Sequence, residues 1–189
     1  MEWFEKALDQ NPVYDNELTH HVDLYSLQFD WIENNLNKGV FKLIIINRNE
    51  IIGFINLNRA FNKSATCILF NKKYIIKKKG LFNRNTTIYD DNNLPAATIS
   101  QTGNGTDEII IRGGDKIFWK SSESSNNDWI CLDAHEKELV QLNPGDSFFK
   151  SGIKINIKDR KLYQKTVLLL IVFGIYNLIN LKKRNNPAE

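Results

Sequence analysis

Cys131 and His135 are the residues whose types most directly suggest nucleophilic chemistry, a thiol with an imidazole base four positions on. Such a pair needs an activated thiolate within hydrogen-bond reach of the base. On a strand, positions i and i+4 share a face but stand about 13 Å apart, which is too far for proton transfer. The other cysteine, Cys67, and the other histidines, His20 and His21, show no metal-ligand spacing. The run Asp90-Asp91-Asn92-Asn93 supplies oxygen ligands, but Leu94-Pro95 interrupts their periodicity and no bidentate Glu follows as a calcium loop requires. Gly103-Asn104-Gly105 and Gly113-Gly114 are followed by neither Lys-Ser/Thr nor a helix start, so they read as hairpin turns and not as phosphate loops. No catalytic residue, metal set or cofactor site is assigned, and a non-enzymatic protein is expected.

The chemistry that remains is anion binding. Lys72, Lys73, Lys77, Lys78, Lys79 and Arg84 lie in a stretch with no acid between Lys63 and Asn85. Each lysine near an anionic membrane contributes about 1 kcal/mol, so several on one face would matter. If the segment is a strand, Tyr74, Ile76 and Lys78 face one way and Lys73, Ile75, Lys77 and Lys79 the other, which divides the charge. A nucleic-acid groove would also need exposed aromatics. The nearby Phe70, Tyr74 and Phe82 are expected in the core, so nucleic acid is not an expected partner.

The chain that must position these residues has 189 residues, 42% of them hydrophobic and 25% charged, the composition of a folded domain. Two cysteines and no basic-then-apolar leader point to a reducing cytoplasm. The net charge of +3 conceals alternating blocks: −7 over residues 1–37, +10 over 38–84, −7 over 85–147 and +7 over 148–189. Leu18, Val22, Tyr25, Phe29, Ile32 and Leu36 recur at helical spacing, so a helix is expected over 16–37, after a shorter one at Glu2 to Leu8. From Val40 to Lys158 the chain turns to short runs of Ile, Val, Phe, Tyr and Thr between Gly- and Asn-rich turns, with clean alternation in Ile153-Lys154-Ile155-Asn156-Ile157-Lys158.

Val167 to Tyr176 (VLLLIVFGIY) is apolar on every face, so it must be surrounded by lipid or by protein. Ten residues cover about 15 Å, half the roughly 30 Å of a bilayer's hydrocarbon. Lengthening the span brings in Gln164, Lys165, Asn177 and Asn180, which are costly in lipid. Protein is the better surrounding. About 11–12 strands closed into a barrel leave a lumen that one helix, about 10 Å across, would fill.

A meander barrel of this kind followed by one apolar helix resembles the Tubby carboxy-terminal fold and its relatives, the phospholipid scramblases and LURP-one-related proteins. At residue level the segment YIIKKKGLFNRNTTIYDDNNLPAATI, Tyr74 to Ile99, is similar to that family's early strands, a basic strand leading to an apolar-aromatic-Asp turn. Asn93 and Leu94 stand where a Gly often closes that turn, and the amino-terminal helices have no counterpart there. The resemblance covers about residues 40–181. It implies a binding module, since animal Tubby proteins hold phosphoinositide headgroups through basic residues on adjacent strands.

The expected fold is therefore mainly β with helices (α+β). It comprises a closed antiparallel meander barrel over 39–189 around a helix at about 162–181, preceded by an acidic helical extension over 1–38. The expected partner is an anionic membrane surface or lipid headgroup held by Lys72, Lys73, Lys77, Lys78, Lys79 and Arg84, with the protein cytoplasmic and peripheral at the membrane. Two alternatives stay open: a protein-interaction adaptor using the acidic amino-terminal helices, and a tail-anchored protein whose Val167 to Leu181 spans the bilayer.

Overall fold

The structure, a computed structural model, describes residues 26–37, 40–47, 50–58, 64–78, 85–102, 105–123, 128–144 and 152–185. In chain order the elements are β1 (Ser26–Asn37), β2 (Val40–Asn47), β3 (Glu50–Asn58), β4 (Ser64–Leu69), β5 (Lys72–Lys78), β6 (Asn85–Tyr89) and β7 (Pro95–Gln101). There follow β8 (Asp107–Ile111), β9 (Lys116–Ser121), β10 (Trp129–Asp133), β11 (Glu138–Asn143), β12 (Ile153–Ile157) and the helix α1 (Gln164–Asn185). Each strand pairs antiparallel with the next, and β1 also registers with β12 through Ser26↔Asn156 to Phe29↔Ile153. The molecule is thus an antiparallel sheet with one apolar carboxy-terminal helix. The helix begins at Gln164 and runs to Asn185, slightly later and longer than expected. Asp159 holds residues 159–162 in a turn, its carboxylate accepting from the Lys161 amide at 3.0 Å and its carbonyl from the Leu162 amide.

One expectation is corrected. Ser26–Asn37 is a strand and not the second half of a helix over 16–37. Leu27 and Trp31 lie off the helical stripe, and with Phe29 they form a period-two set. In register, Leu27, Phe29 and Trp31 stand opposite Ile155, Ile153 and Ile45, and those three isoleucines are buried in the core. The sheet supplies both the backbone partners and the apolar face, and so overrides the 4-3 spacing. Residues 26–37 therefore belong to the sheet and not to a helical extension over 1–38. Residues 1–25, including the helix expected at Glu2 to Leu8, lie outside the described residues.

A single core cluster takes side chains from β2 to β12 and from α1. In β4 the burial alternates strictly, with Ala65, Cys67 and Leu69 inside, as period-two geometry requires. On α1, Val167 to Phe173, Ile175, Tyr176, Leu178 and Ile179 are all buried. Each such side chain contributes roughly 1.5–3 kcal/mol by leaving water. The helix lies against Trp119, whose ring meets Phe173 edge-on at 5.5 Å and stacks on Trp129 at 5.3 Å. The two tryptophans are diagonal neighbours on β9 and β10 and pack across the strands, with no ligand needed to explain them.

Gly174 sets how closely the helix approaches. A Cβ there would stand 2.5 Å from Leu142 Cδ2 and 3.0 Å from Trp119 Cη2. Further along, the Asn177 amide donates to Asp107 Oδ2 at 3.2 Å, and the Asn180 amide donates back to the Tyr176 carbonyl at 2.9 Å. The amides that would be costly in lipid thus have partners here. Gly174→Ala is expected to destabilise the protein by about 1–3 kcal/mol, overpacking outweighing the roughly 1 kcal/mol of helix propensity gained. Urea unfolding measures this, and an unchanged midpoint would mean that Trp119 does not set the spacing.

Candidate anion-binding site

On β5, Tyr74 and Ile76 are buried while Lys72, Lys73 and Lys77 are exposed and Lys78 is half-buried. The alternation expected of a strand therefore divides the basic run. Lys73 and Lys77 face outward on either side of Ile75, about 13 Å apart along the strand. Lys72 shares the inward parity but stands at the first position of the strand, where it is exposed. The Lys77 ammonium sits 5.2 Å from the centroid of the Tyr89 ring, a cation–π contact with β6. Among the described residues, Lys72, Lys73 and Lys77 have no carboxylate partner. Lys79 and Arg84 lie outside the described residues. The strand thus places Lys72 and Lys73 beside the β4–β5 turn and Lys77 and Lys78 towards its other end.

That turn is two residues long. Phe70 and Asn71 both take positive φ, 47° and 60°, the geometry that matches the twist of the flanking strands. Asn tolerates this readily and Phe does not. Phe70 is held there because its amide donates to the Ile52 carbonyl at 3.0 Å and its ring packs against the core.

The next turn along this end of the sheet, between β6 and β7, is built on Asp90, whose side chain is only 3% exposed. Its Oδ1 accepts from the amides of Asn92 at 3.1 Å and Leu94 at 3.0 Å, and Asn93 takes φ 58°, so local turn chemistry engages this aspartate. Its Oδ2 is held by charge, 3.0 Å from the Arg112 guanidinium and 3.7 Å from the Lys165 ammonium. Arg112 in turn donates from Nε to the Pro95 carbonyl at 2.7 Å. Burial alone would raise the Asp90 pKa, but the Leu94 amide, the Arg112 charge and the Asn92 amide outweigh it and hold the carboxyl below its ordinary value. The first turn of α1 carries no acid of its own. Asp90 places a negative charge beside it, where the helix dipole is positive.

Between β12 and α1 runs a segment in which Lys158, Arg160 and Lys161 are exposed, and Lys165 in the first turn of α1 is exposed as well. Asp159 there pairs with Lys137, which together with the Lys161 amide keeps its carboxyl low. Sequence reasoning passed over this segment, although four cations in the eight residues 158–165 were the available signal.

Cys131 and His135 do not share a strand, because β10 ends at Asp133 and His135 lies in the following turn, its amide donating to Asp133 Oδ1 at 2.8 Å. Burial, with the Glu138 charge added, pushes the Cys131 thiol up, and burial alone pushes the Cys67 thiol up to about 12. Neither thiol is an activated nucleophile. Among the described residues no group of three or more His, Cys, Asp or Glu converges on one point. No family model, no curated protein and no solved structure matches this chain.

Asp90→Asn keeps the turn acceptor but removes the charge facing Arg112 and Lys165. A loss of about 1–2 kcal/mol is expected, discounted because Arg112 is 42% exposed. Since the folded pKa is depressed, this contribution is full above the ordinary carboxylate value of about 4 and fades as pH falls through the lower folded value. Thermal unfolding at a series of pH values should therefore show the wild-type and variant curves converging in acid, and a gap that persists there would refute the charge assignment.

Proposed function

We propose that this chain is a non-enzymatic binding module for anionic surfaces, of the Tubby, LURP-one and scramblase type, in which the sheet closes into a barrel filled by α1. The registers of β1 with both β2 and β12 and the burial of α1 on every face from Val167 to Tyr176 support the barrel reading. That burial also supports a filled protein core over membrane insertion, although α1 is long and apolar enough to cross a bilayer. The observation that carries the ligand class is the pair Lys72 and Lys73, both exposed at the start of β5 with no carboxylate partner among the described residues. Fixed on a paired strand, they lose little rotational freedom of the backbone when an anion docks, and each contributes about 1 kcal/mol near anionic lipid.

Purified protein is expected to sediment with phosphatidylcholine vesicles containing phosphatidylglycerol at low ionic strength and to be released by about 0.5 M NaCl, where the Debye length falls to a few ångströms. Lys72→Gln combined with Lys73→Gln should weaken binding by about twenty- to thirty-fold. Absence of sedimentation at low ionic strength would reject the proposal.

A further inference from the structure

The antiparallel meander brings the β4–β5, β6–β7, β8–β9 and β10–β11 turns, and the segment that follows β12, to one end of the sheet. The start of α1 lies there as well, since Lys165 reaches Asp90. Among the described residues the large hydrophobic side chains that remain exposed are Leu94 (52%), Tyr163 (83%) and Ile110 (38%). Leu94 and Tyr163 both belong to this end, whereas Ile110 lies within β8 on the wall of the sheet.

Neither side chain has a structural task. Leu94 serves its turn through its backbone amide, and Tyr163 serves α1 through its carbonyl, which accepts from the Val167 amide at 3.1 Å. Around them stand the exposed cations Arg160, Lys161 and Lys165, with Lys72 and Lys73 one turn away. The carboxylates of Asp90 and Asp159 are already engaged by Arg112, Lys165 and Lys137. Asp91 is the exposed acid in the turn of Leu94, and Asp115 and Glu136 belong to the turns on the β8–β11 side. An exposed phenol and an exposed isobutyl group at an end that also carries exposed lysine and arginine are the parts of an interfacial membrane anchor: the apolar groups enter the headgroup–acyl boundary while the cations meet phosphates.

We infer that this end of the molecule is a bilayer-contacting tip, with Tyr163 and Leu94 inserting into an anionic leaflet while Arg160, Lys161 and the β5 lysines Lys72 and Lys73 contact its phosphates. The inference rests on the anionic-surface reading above and adds to it an apolar anchor and an orientation. In that orientation Lys154, exposed near the start of β12 and so at the opposite end of the sheet, stays clear of the lipid.

The test measures binding of the full chain to vesicles of phosphatidylcholine with phosphatidylglycerol. Tyr163→Ser with Leu94→Ser should bind about tenfold more weakly at unchanged thermal stability, since both side chains are exposed. Lys154→Gln should bind as the wild type does. If the wild type binds and the serine variant binds equally well, the tip inference is overturned while the anionic-surface reading stands, and the exposed pair belongs to a protein contact. A Lys154→Gln variant that weakens binding as much as the serine variant would likewise overturn the proposed orientation. If the wild type does not bind at low ionic strength, the anionic-surface reading fails first and the tip falls with it.

Discussion

A helix with no polar face cannot be left in water, and the rest of this molecule is arranged around covering one. Val167 to Phe173 and their neighbours up to Ile179 take their cover from strands that are far apart in the chain, so side chains from β2 to β12 share one core with α1. Close cover also needs a place where the helix is thin. Gly174 provides it, and the Leu142 side chain with the Trp119 ring occupies the space a methyl group would take. Polar contacts mark where the apolar stretch stops: Lys165 with Asp90 at its start and Asn177 with Asp107 near its end. The helix is thereby fixed along its axis by hydrogen bonding and charge and across it by packing.

Asp90 joins parts of the chain that are remote in sequence. Its carboxylate closes the β6–β7 turn, draws in Arg112 from the β8–β9 turn and faces Lys165 of α1. A buried carboxylate is costly unless its partners are in place. Here two backbone amides and two cations meet it, and the consequence is a depressed pKa and not an orphaned charge. The same residue that makes a local turn therefore couples the sheet to the helix that it covers.

The strand-rich middle of the chain and its apolar final helix were legible because each rests on a strong one-dimensional signal, alternation in Ile153 to Lys158 and unbroken hydrophobicity in Val167 to Tyr176. What escaped depended on partners distant in sequence. Residues 26–37 carry two periodicities at once, and register with β2 and β12 selects the strand. The Phe70–Asn71 turn carries no glycine or proline, and its positive φ is sustained by a bond to Ile52 and by core packing. At the candidate site, the split of the lysines between the two faces of β5 followed from counting alone. That Lys72 and Lys73 share an end of the sheet with Tyr163, Leu94 and Arg160 did not, because it follows from the order in which the strands pair.

The order of elements along the chain bears on how the protein is made. Every described strand leaves the ribosome before α1 does, so the buried isoleucines, leucines and valines of the sheet have no helix to pack against while those strands are being made. Nascent chains in this condition expose adhesive surface and depend on chaperones or on slow pairing to stay apart. Docking of that single segment then converts a soft, sticky intermediate into a protein whose apolar side chains are covered.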